Sequence, residues 1–258
     1  MDRPPRSGGT TALGSHDPGF LGVSTALTVA DSKRAFHAAF PHVIAPIHRR
    51  MVDELLVELH LLSRQNGFQA DPLFAAGLVQ VFDAFTQGYR PAEQREALLA
   101  ALCSATGFEA AQLRTLQQNA LTAVGHHSLE DVRSWIGDGG REAPEPLAAA
   151  LASIQRPDFH YSRLMAVGLL SLLQQARGAD SLDPAALRQT AHELGEAMGL
   201  LRDRLDKDLA LYASNLEKMA QAVELLEETV AAERRKRERA AAVTDGTPAA
   251  GEAPPSDG

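Results

Sequence analysis

The chain has 258 residues, 45% of them hydrophobic and 22% charged, with a net charge of -8. A chain of this length can bury one good hydrophobic core or two small ones. The acidic balance argues against nucleic acid as the main partner, because domains that bind nucleic acid are usually basic. The single cysteine, Cys103, excludes an internal disulfide and favours a reducing compartment. Its leucine-rich helical setting favours a buried side chain over a reactive thiol.

Both ends of the chain lack hydrophobic periodicity and are predicted to be disordered. Residues 1–27 are rich in glycine, serine and threonine. They faintly resemble a plastid transit peptide, while an extension or a start codon assigned too early fits at least as well. Residues 240–258 form a tail rich in alanine, proline and glycine. No segment approaches the roughly 20 apolar residues of a membrane-spanning helix, so any membrane contact is predicted to be peripheral.

Between these ends hydrophobic residues recur with a helical period, and no window alternates for long as a strand would. The predicted helices lie, in chain order, at about 28–40, 47–65, 72–88, 91–107, 109–124, 128–136, from 146, 159–177, from 184, and 201–239. Capping residues mark several starts, such as Asp71 before Pro72 and Ser128 before Asp131. The sequence therefore predicts an all-α fold, with a helical bundle at 28–200 and one long helix at 201–239.

The second predicted helix carries acids and a histidine among leucines, which raises the question of a metal or acid–base site. Glu58 and His60 lie about 160° apart around the helix and cannot bind one ion from one helix. The Glu-x-x-His pairs of carboxylate-bridged metal bundles are absent from the sequence. Glu54 and Glu58 are therefore predicted to be solvated. No phosphate-binding loop, nucleophile motif or Cys-x-x-Cys occurs either, so no catalytic site, metal site or cofactor is predicted.

The same helix has a second apolar stripe, Val57 and Leu61, opposite its main apolar face. A helix that is apolar on two sides is either enclosed in a core or docks a partner. Enclosure in the core is the preferred interpretation, because large exposed apolar patches are uncommon in monomers.

A short pattern occurs twice, as LFAAGL at residues 73–78 and as LMAVGL at residues 164–169. A glycine inside a helix costs up to about 1 kcal/mol relative to alanine. Its presence at matching positions predicts that Gly77 and Gly168 let another helix approach closely. Chance similarity between two helices rich in alanine and leucine is the alternative.

Apolar residues of the last predicted helix recur at alternating four- and three-residue steps, the heptad pattern of coiled coils. This seam consists of Leu205, Leu209, Tyr212, Leu216, Met219, Val223, Leu226 and Val230. Its first half is predicted to pack on the bundle. Its second half, named here the distal seam, is the predicted partner-binding face and consists of Met219, Val223, Leu226 and Val230.

The last helix ends in a cluster of basic residues, named here the basic end: Arg234, Arg235, Lys236, Arg237 and Arg239. Cations are favourable near the C-terminus of a helix because of its dipole. The basic end is therefore either an ordinary solvated terminus or a docking site for anionic lipid or an acidic partner.

Two turns carry further candidate contact residues. Tyr89, Arg90 and Pro91 form a stiff turn between helices, and Tyr161 and Arg163 lie where another helix begins. Turns carry functional residues more often than the core does. The five residues are therefore predicted to be exposed and to bind a partner. The alternative is that the arginines form internal ion pairs.

Three long segments resemble the thylakoid formation protein family, also called the photosystem II biogenesis protein family. They are KRAFHAAFPHVIAPIHRRMVDELLVELHLLSRQNGFQADPLFAAGLVQVFDAFTQGYRP, YSRLMAVGLLSLL and DKDLALYASNLEKMAQAVELLEETVAAERRKRER. The resemblance runs from about residue 28 to residue 239 and is weak at 125–157. Gly199-Leu200-Leu201-Arg202 departs from the family pattern, which has a capping Ser or Asp there. The last helix is therefore expected either to begin afresh or to continue through a bend at Gly199.

The resemblance implies an all-helical, non-enzymatic accessory factor in thylakoid membrane organization and in photosystem II biogenesis and repair. The implied location is the cytoplasmic (stromal) face of thylakoid membranes in a cyanobacterium, with a plastid as the second choice. The implied partners are a membrane FtsH-type protease complex and the photosystem II assembly machinery.

A lipid- or pigment-handling protein acting in thylakoid membrane biogenesis is the alternative function. A pigment carrier would need a sizeable apolar cavity with fixed polar ligands. The clustered candidates are His37, His42 and His48, whose setting between prolines favours a structural role.

Overall fold

The structure is a computed structural model, and it describes residues 27–197, 199 and 202–245. These residues form helices and connecting turns, which confirms the predicted all-α bundle with a long last helix. Sheet-type pairing in the described ranges is limited to one isolated bridge between Ser128 and Arg177. The α-helices are, in chain order, α1 Val29–Ala39, α2 Pro46–Ser63, α3 Pro72–Phe85, α4 Arg95–Thr106, α5 Ala110–Gly125, α6 Leu129–Gly137, α7 Leu147–Ser153, α8 Arg163–Gln175, α9 Pro184–Ala197 and α10 Arg202–Asp245. Short 3-10 helices lie at Ala92–Gln94 and Ala179–Ser181.

Side-chain caps set several of the helix starts. The carboxylate of Asp71 accepts a hydrogen bond of 2.8 Å from the backbone N–H of Phe74, so α3 begins where the sequence predicts. Ser128 and Asp131 form the predicted capping box of α6. The prediction for α8 is wrong by one turn, because Ser162 caps the helix and residues 159–162 precede it.

The centre of the bundle is the pair of helices α3 and α8, which are apolar and buried along almost their whole length. One hydrophobic cluster joins α3 to α1, α2 and α4. The other joins α8 to α5, α6, α7 and α9 and to the start of α10. Cys103 is fully buried in the first cluster, and its burial raises the pKa of the thiol to about 12. The predicted burial of the cysteine is thereby confirmed.

The two central helices cross where the repeated pattern places its glycines. A Cβ at Gly77 would overlap the backbone carbonyl of Leu164, and a Cβ at Gly168 would overlap that of Leu73. Each glycine also lies against the backbone nitrogen of the other. The prediction of a close helix approach is confirmed, because only a residue without a side chain fits at either position.

The second apolar stripe of helix α2, Val57 and Leu61, is less buried than predicted. The Leu61 side chain is 56% exposed and Val57 is half-buried, so the expectation that the core encloses both is wrong for Leu61. The neighbouring His60 is buried instead, and its Nδ1 lies 2.9 Å from the hydroxyl oxygen of Ser32 on α1. Helix α1 packs on the side of α2 that carries His60, which leaves Leu61 uncovered.

Helix α10 starts inside the bundle and leaves it. Leu205 and Leu209 are buried in the second cluster, which confirms that the first half of the seam packs on the bundle. The side chains described from 224 to 239 are all exposed. Helix α9 ends at Ala197, and Gly199 adopts the left-handed conformation with φ +77°, so α10 begins afresh. The helix runs past the predicted end at residue 239; residues 1–26 and 246–258 lie outside the described part of the chain.

Candidate interaction surface on the last helix

The predicted distal seam divides into a covered part and an uncovered part. Met219 is half-buried and packs on the first hydrophobic cluster, and Val223 is half-buried as well. Leu226 and Val230 are 46% and 59% exposed, and Leu225 beside them is 65% exposed. Three large apolar side chains are therefore uncovered within six residues of one projecting helix.

The turn after α3 lies at the point where α10 leaves the bundle. Gly88 has φ +72°, and a Cβ there would come within 2.6 Å of the Cγ1 of Val223. Arg90 reaches the exposed Glu227 at 3.7 Å. The turn and the projecting helix line an open groove of about 540 Å³, named here the distal groove, whose lining includes Gly88, Arg90, Val223, Leu226, Val230 and Arg234.

Tyr89 is not part of this surface. Its side chain is only 2% exposed and packs 5.1 Å from the ring of His48, so the expectation that Tyr89 is exposed is wrong. Its hydroxyl has no hydrogen-bond partner in the described part of the chain, and burial raises the pKa of the phenol. The turn directs the tyrosine inward, while Arg90 and Pro91 stay exposed as predicted.

Tyr161 and Arg163 form contacts with other helices of the same chain. The Tyr161 hydroxyl donates a hydrogen bond of 2.8 Å to Asp208 on α10, and the Arg204 guanidinium lies 5.1 Å from the centre of the tyrosine ring. Burial, reinforced by Asp208, raises the pKa of Tyr161. The neighbouring Arg163 donates to Glu58 at 2.7 Å. Of the two predicted roles for the arginines, partner binding and internal ion pairing, Arg163 therefore has the internal ion pair.

The pairing with Arg163 also overturns the expectation that Glu58 is solvated. The Glu58 side chain is 17% exposed, whereas Glu54, 3.6 Å from the same guanidinium, is 41% exposed. Burial raises the pKa of Glu58, and the nearby Arg163 opposes that shift. Glu58 and His60 contact different partners, which agrees with their predicted separation around the helix.

The basic end is exposed and partly paired within its own helix. Arg234 contacts Glu238 at 2.8 Å, and Arg237 contacts Glu233 at 3.9 Å. Arg235, Lys236 and Arg239 form no ion pair with any described residue. These three cations are therefore the ones available to a partner surface.

A second groove, named here the proximal groove, lies between α2 and the first half of α10. It encloses about 290 Å³ and is open to solvent along one side. Its apolar lining includes Met51, Leu55, Phe85, Leu164, Tyr212 and Met219. Its polar lining consists of Arg50, Glu54, Arg163, Asp208, Asn215 and Lys218. Sequence patterns did not show this groove, because its walls come from four separate helices.

The three clustered histidines do not converge on either groove. His37 and His42 are exposed. The Nδ1 of His48 is 3.0 Å from the carbonyl oxygen of Phe85, and burial lowers the pKa of this histidine. Within the described ranges no group of three His, Cys, Asp or Glu side chains could hold a metal ion. None of the described helices is both long and apolar enough to cross a membrane.

The architecture is that of an all-α bundle protein with two central helices joined at a glycine crossing and a last helix that projects from the bundle. The chain belongs to the thylakoid formation protein family, whose model matches residues 28–241. This membership confirms the resemblance noted in the sequence.

Several relatives are similar over most of their length. The chain is 57% identical to Protein Thf1 of Prochlorococcus marinus (strain MIT 9313) over 213 residues, which cover 82% of this chain and 88% of that protein. It is 40% identical to Protein Thf1 of Synechocystis sp. (strain ATCC 27184 / PCC 6803 / Kazusa), over 88% of this chain and 94% of the relative. The solved structure of Psb29 superposes with a TM-score of 0.71 at 37% identity, covering 82% of this chain and 99% of that one.

Proposed function

We propose that this protein is a non-enzymatic accessory factor in thylakoid membrane formation and in photosystem II biogenesis and repair. In this proposal it binds and stabilises a membrane FtsH-type protease complex at the cytoplasmic (stromal) face of cyanobacterial thylakoids. Family membership supports the process. The observation that carries the docking role is the uncovered apolar face of the projecting part of α10.

The distal groove has the form of a helix-binding site. Leu226 and Val230 are spaced by one helical turn, and amphipathic helices dock through anchors at such spacing. The turn at Gly88 and Arg90 forms the opposite wall. A partner helix laid in this groove would contact both the bundle and the projecting part of α10, named here the arm. Such a contact would hold the arm at a defined angle.

The basic end supports a peripheral contact with the membrane. Residues 231–239 contain five basic and two acidic side chains. Each basic residue near an anionic leaflet contributes roughly 1 kcal/mol of attraction. Because two of the five are paired within the helix, the attraction rests mainly on Arg235, Lys236 and Arg239.

Truncation after Gln221 tests the docking role. It removes the uncovered seam and the basic end but keeps Leu205, Leu209, Tyr212, Leu216 and Met219, which pack on the two clusters. We expect the truncated protein to keep its far-UV circular dichroism and melting temperature and to lose co-purification with the protease from solubilised thylakoids. A truncated protein that unfolds would assign the distal helix to the core, and one that binds normally would exclude it as the docking element.

Point variants test the apolar contact while the basic end is left unchanged. Leu226→Asp together with Val230→Asp should weaken co-purification at least about tenfold, which corresponds to about 1.4 kcal/mol. Leu61→Asp is the control, because Leu61 on α2 is 56% exposed, between the values of Leu226 and Val230, and lies outside both grooves. If the control variant loses binding to the same degree, the effect is not specific to the distal groove.

The proximal groove favours the alternative, a protein that handles a lipid-like molecule. Its apolar floor and charged rim are the features of a small-molecule site. This groove shares Met219 with the distal seam, whereas Val223, Leu226 and Val230 lie outside its lining.

A further inference from the structure

The proximal groove runs between two antiparallel helices, so its two ends can be identified. Asp208 at one end lies close enough to affect the ionisation of Glu58. At the other end His48, in the first turns of α2, packs on Tyr89, and the adjoining Gly88 touches Val223 of α10. The middle of α2 therefore faces the start of α10, and the start of α2 faces residues 218–223.

The end at Asp208 has its charges satisfied internally. Arg163 is shared by Glu58 and Glu54, and Asp208 accepts the hydrogen bond of Tyr161. A charged ligand placed there would have to compete with these bonds. This end is suited to apolar contact only.

The opposite end has an uncompensated positive charge. Lys218 lines the groove and forms no ion pair with a described residue. Arg50 lines the same groove, 88% exposed at its side chain, and its only described partner is Glu54. The first turn of α2 contains no acidic residue. An anionic group is therefore favoured beside Lys218.

Between the two ends the floor is apolar and deep. Met51, Leu55, Phe85, Leu164 and Val167 belong to the buried core. The Tyr212 ring packs 6.0 Å from that of Phe85 and forms part of the α10 wall. A flexible hydrocarbon chain laid on this floor would remove apolar surface from water at about 25 cal/mol per Å².

We propose that the proximal groove binds a single-chain anionic amphiphile of the fatty-acid type, with its carboxylate at Lys218 and its chain along the apolar floor toward Asp208. The volume decides the class, because about 290 Å³ lies at the lower limit of small-molecule sites. One alkyl chain fills this space, and the second chain of a two-chain lipid or most of a large ring pigment would lie outside it. The site does not depend on protease docking by the distal seam.

Dodecanoate is the probe that tests this site. Isothermal titration with the full-length chain, below the micelle-forming concentration, is expected to show saturable binding of one molecule. Dodecanol and dodecyltrimethylammonium have the same chain without the negative charge and are expected to bind at least tenfold more weakly. Equal affinity for all three probes would overturn the placement of the ligand's carboxylate beside Lys218.

Two variants locate the site. Lys218→Glu, at an exposed position, is expected to weaken dodecanoate binding at least tenfold, while Lys33→Glu on α1 makes the same charge change away from the groove and is expected to have no effect. Ala222→Phe places a ring into the groove from a half-buried position and is expected to abolish binding with the melting temperature unchanged. Binding that survives both variants would overturn the proposal.

Vesicles and co-purification separate this site from the other proposed functions. Vesicles containing an anionic phospholipid are expected to bind Lys218→Glu as they bind the unmodified chain, because the bilayer contact rests on the basic end. Two results together would overturn the ligand assignment: the unmodified chain does not bind dodecanoate, and Ala222→Phe no longer co-purifies with the protease. They would show that the groove holds a partner helix.

Discussion

At the scale of single residues, two arginines that looked equivalent in the sequence have different surroundings. Arg163 is 38% exposed and holds the mostly buried Glu58 at 2.7 Å. Arg90 is 76% exposed and lies 3.7 Å from an exposed glutamate. Exposed pairs contribute little to stability, whereas removing one partner of a buried pair leaves an uncompensated charge.

Arg163→Ala is therefore expected to lower the free energy of unfolding by roughly 1–2 kcal/mol, a value reduced for the partial exposure of the pair. Arg90→Ala should change it by less than about 0.5 kcal/mol. Urea unfolding of both variants checks this. Equal stability losses would show that the pair with Glu58 is no stronger than the surface contact.

A second residue-scale prediction concerns pH and Asp71. Burial raises the pKa of this capping carboxyl from 3.8 to about 6. The folded state therefore binds the proton more tightly than the unfolded state does, and the stability contributed by Asp71 falls as the pH rises from about 4 to above 6.

Asp71→Asn keeps a capping side chain and removes this titration. We expect the variant to be more stable than the unmodified chain at pH 7.5 by roughly 1–3 kcal/mol and to differ little at pH 3.5. Urea unfolding at the two pH values measures the difference. A variant that is less stable at pH 7.5 would show that the charged cap stabilises α3 more than burial destabilises it.

At the scale of secondary-structure elements, the crossing of α3 and α8 decides how closely the two central helices pack. At Gly77 and Gly168 even a Cβ would meet backbone atoms of the other helix, which cannot move aside as a flexible side chain can. Interiors packed to this density respond to added volume by shifting whole elements.

Gly77→Leu and Gly168→Leu are each expected to cost roughly 1–3 kcal/mol or more by overpacking, and the alanine variants should already be destabilised. Gly137→Ala is the matched control, because a Cβ there makes only an ordinary contact of 3.8 Å with Leu194. Thermal and urea unfolding provide the comparison. Unchanged midpoints for the first two variants would contradict the close crossing.

At the scale of the whole molecule, the bundle and the arm separate two kinds of contact. The bundle buries most of its apolar residues, whereas the projecting arm offers an apolar face followed by exposed cations. Exposed charges are screened over about 8 Å at physiological ionic strength. The contribution of the basic end should therefore depend on salt, and that of the apolar face should not.

The triple variant Arg235→Gln, Lys236→Gln and Arg239→Gln is expected to reduce binding to anionic vesicles at least about tenfold at low salt, with a smaller difference at 0.5 M salt. Lys33→Gln, Arg49→Gln and Arg64→Gln remove the same charge from exposed positions on the bundle and form the control. Vesicle sedimentation measures both. Equal losses would mean that net charge, rather than the basic end, governs the contact.

The amino-acid sequence by itself determined the features that arise from local interactions. Helical periodicity, the cap at Asp71 and the capping box at Ser128 depend on residues within a few positions of each other. The glycine pattern at 77 and 168 also predicted a contact between distant helices, because a glycine inside a helix needs a reason in packing.

Only the tertiary structure decided which faces are covered. Arg163 and Glu58 are 105 positions apart, and no local pattern connects them. Tyr89 turns inward because α2 is folded beside its turn, and Leu61 stays exposed because α1 packs on the other side of its helix. The proximal groove exists because four helices leave a space between them. Burial of a side chain is a property of the neighbours that the fold places around it, and a local sequence pattern contains no record of those neighbours.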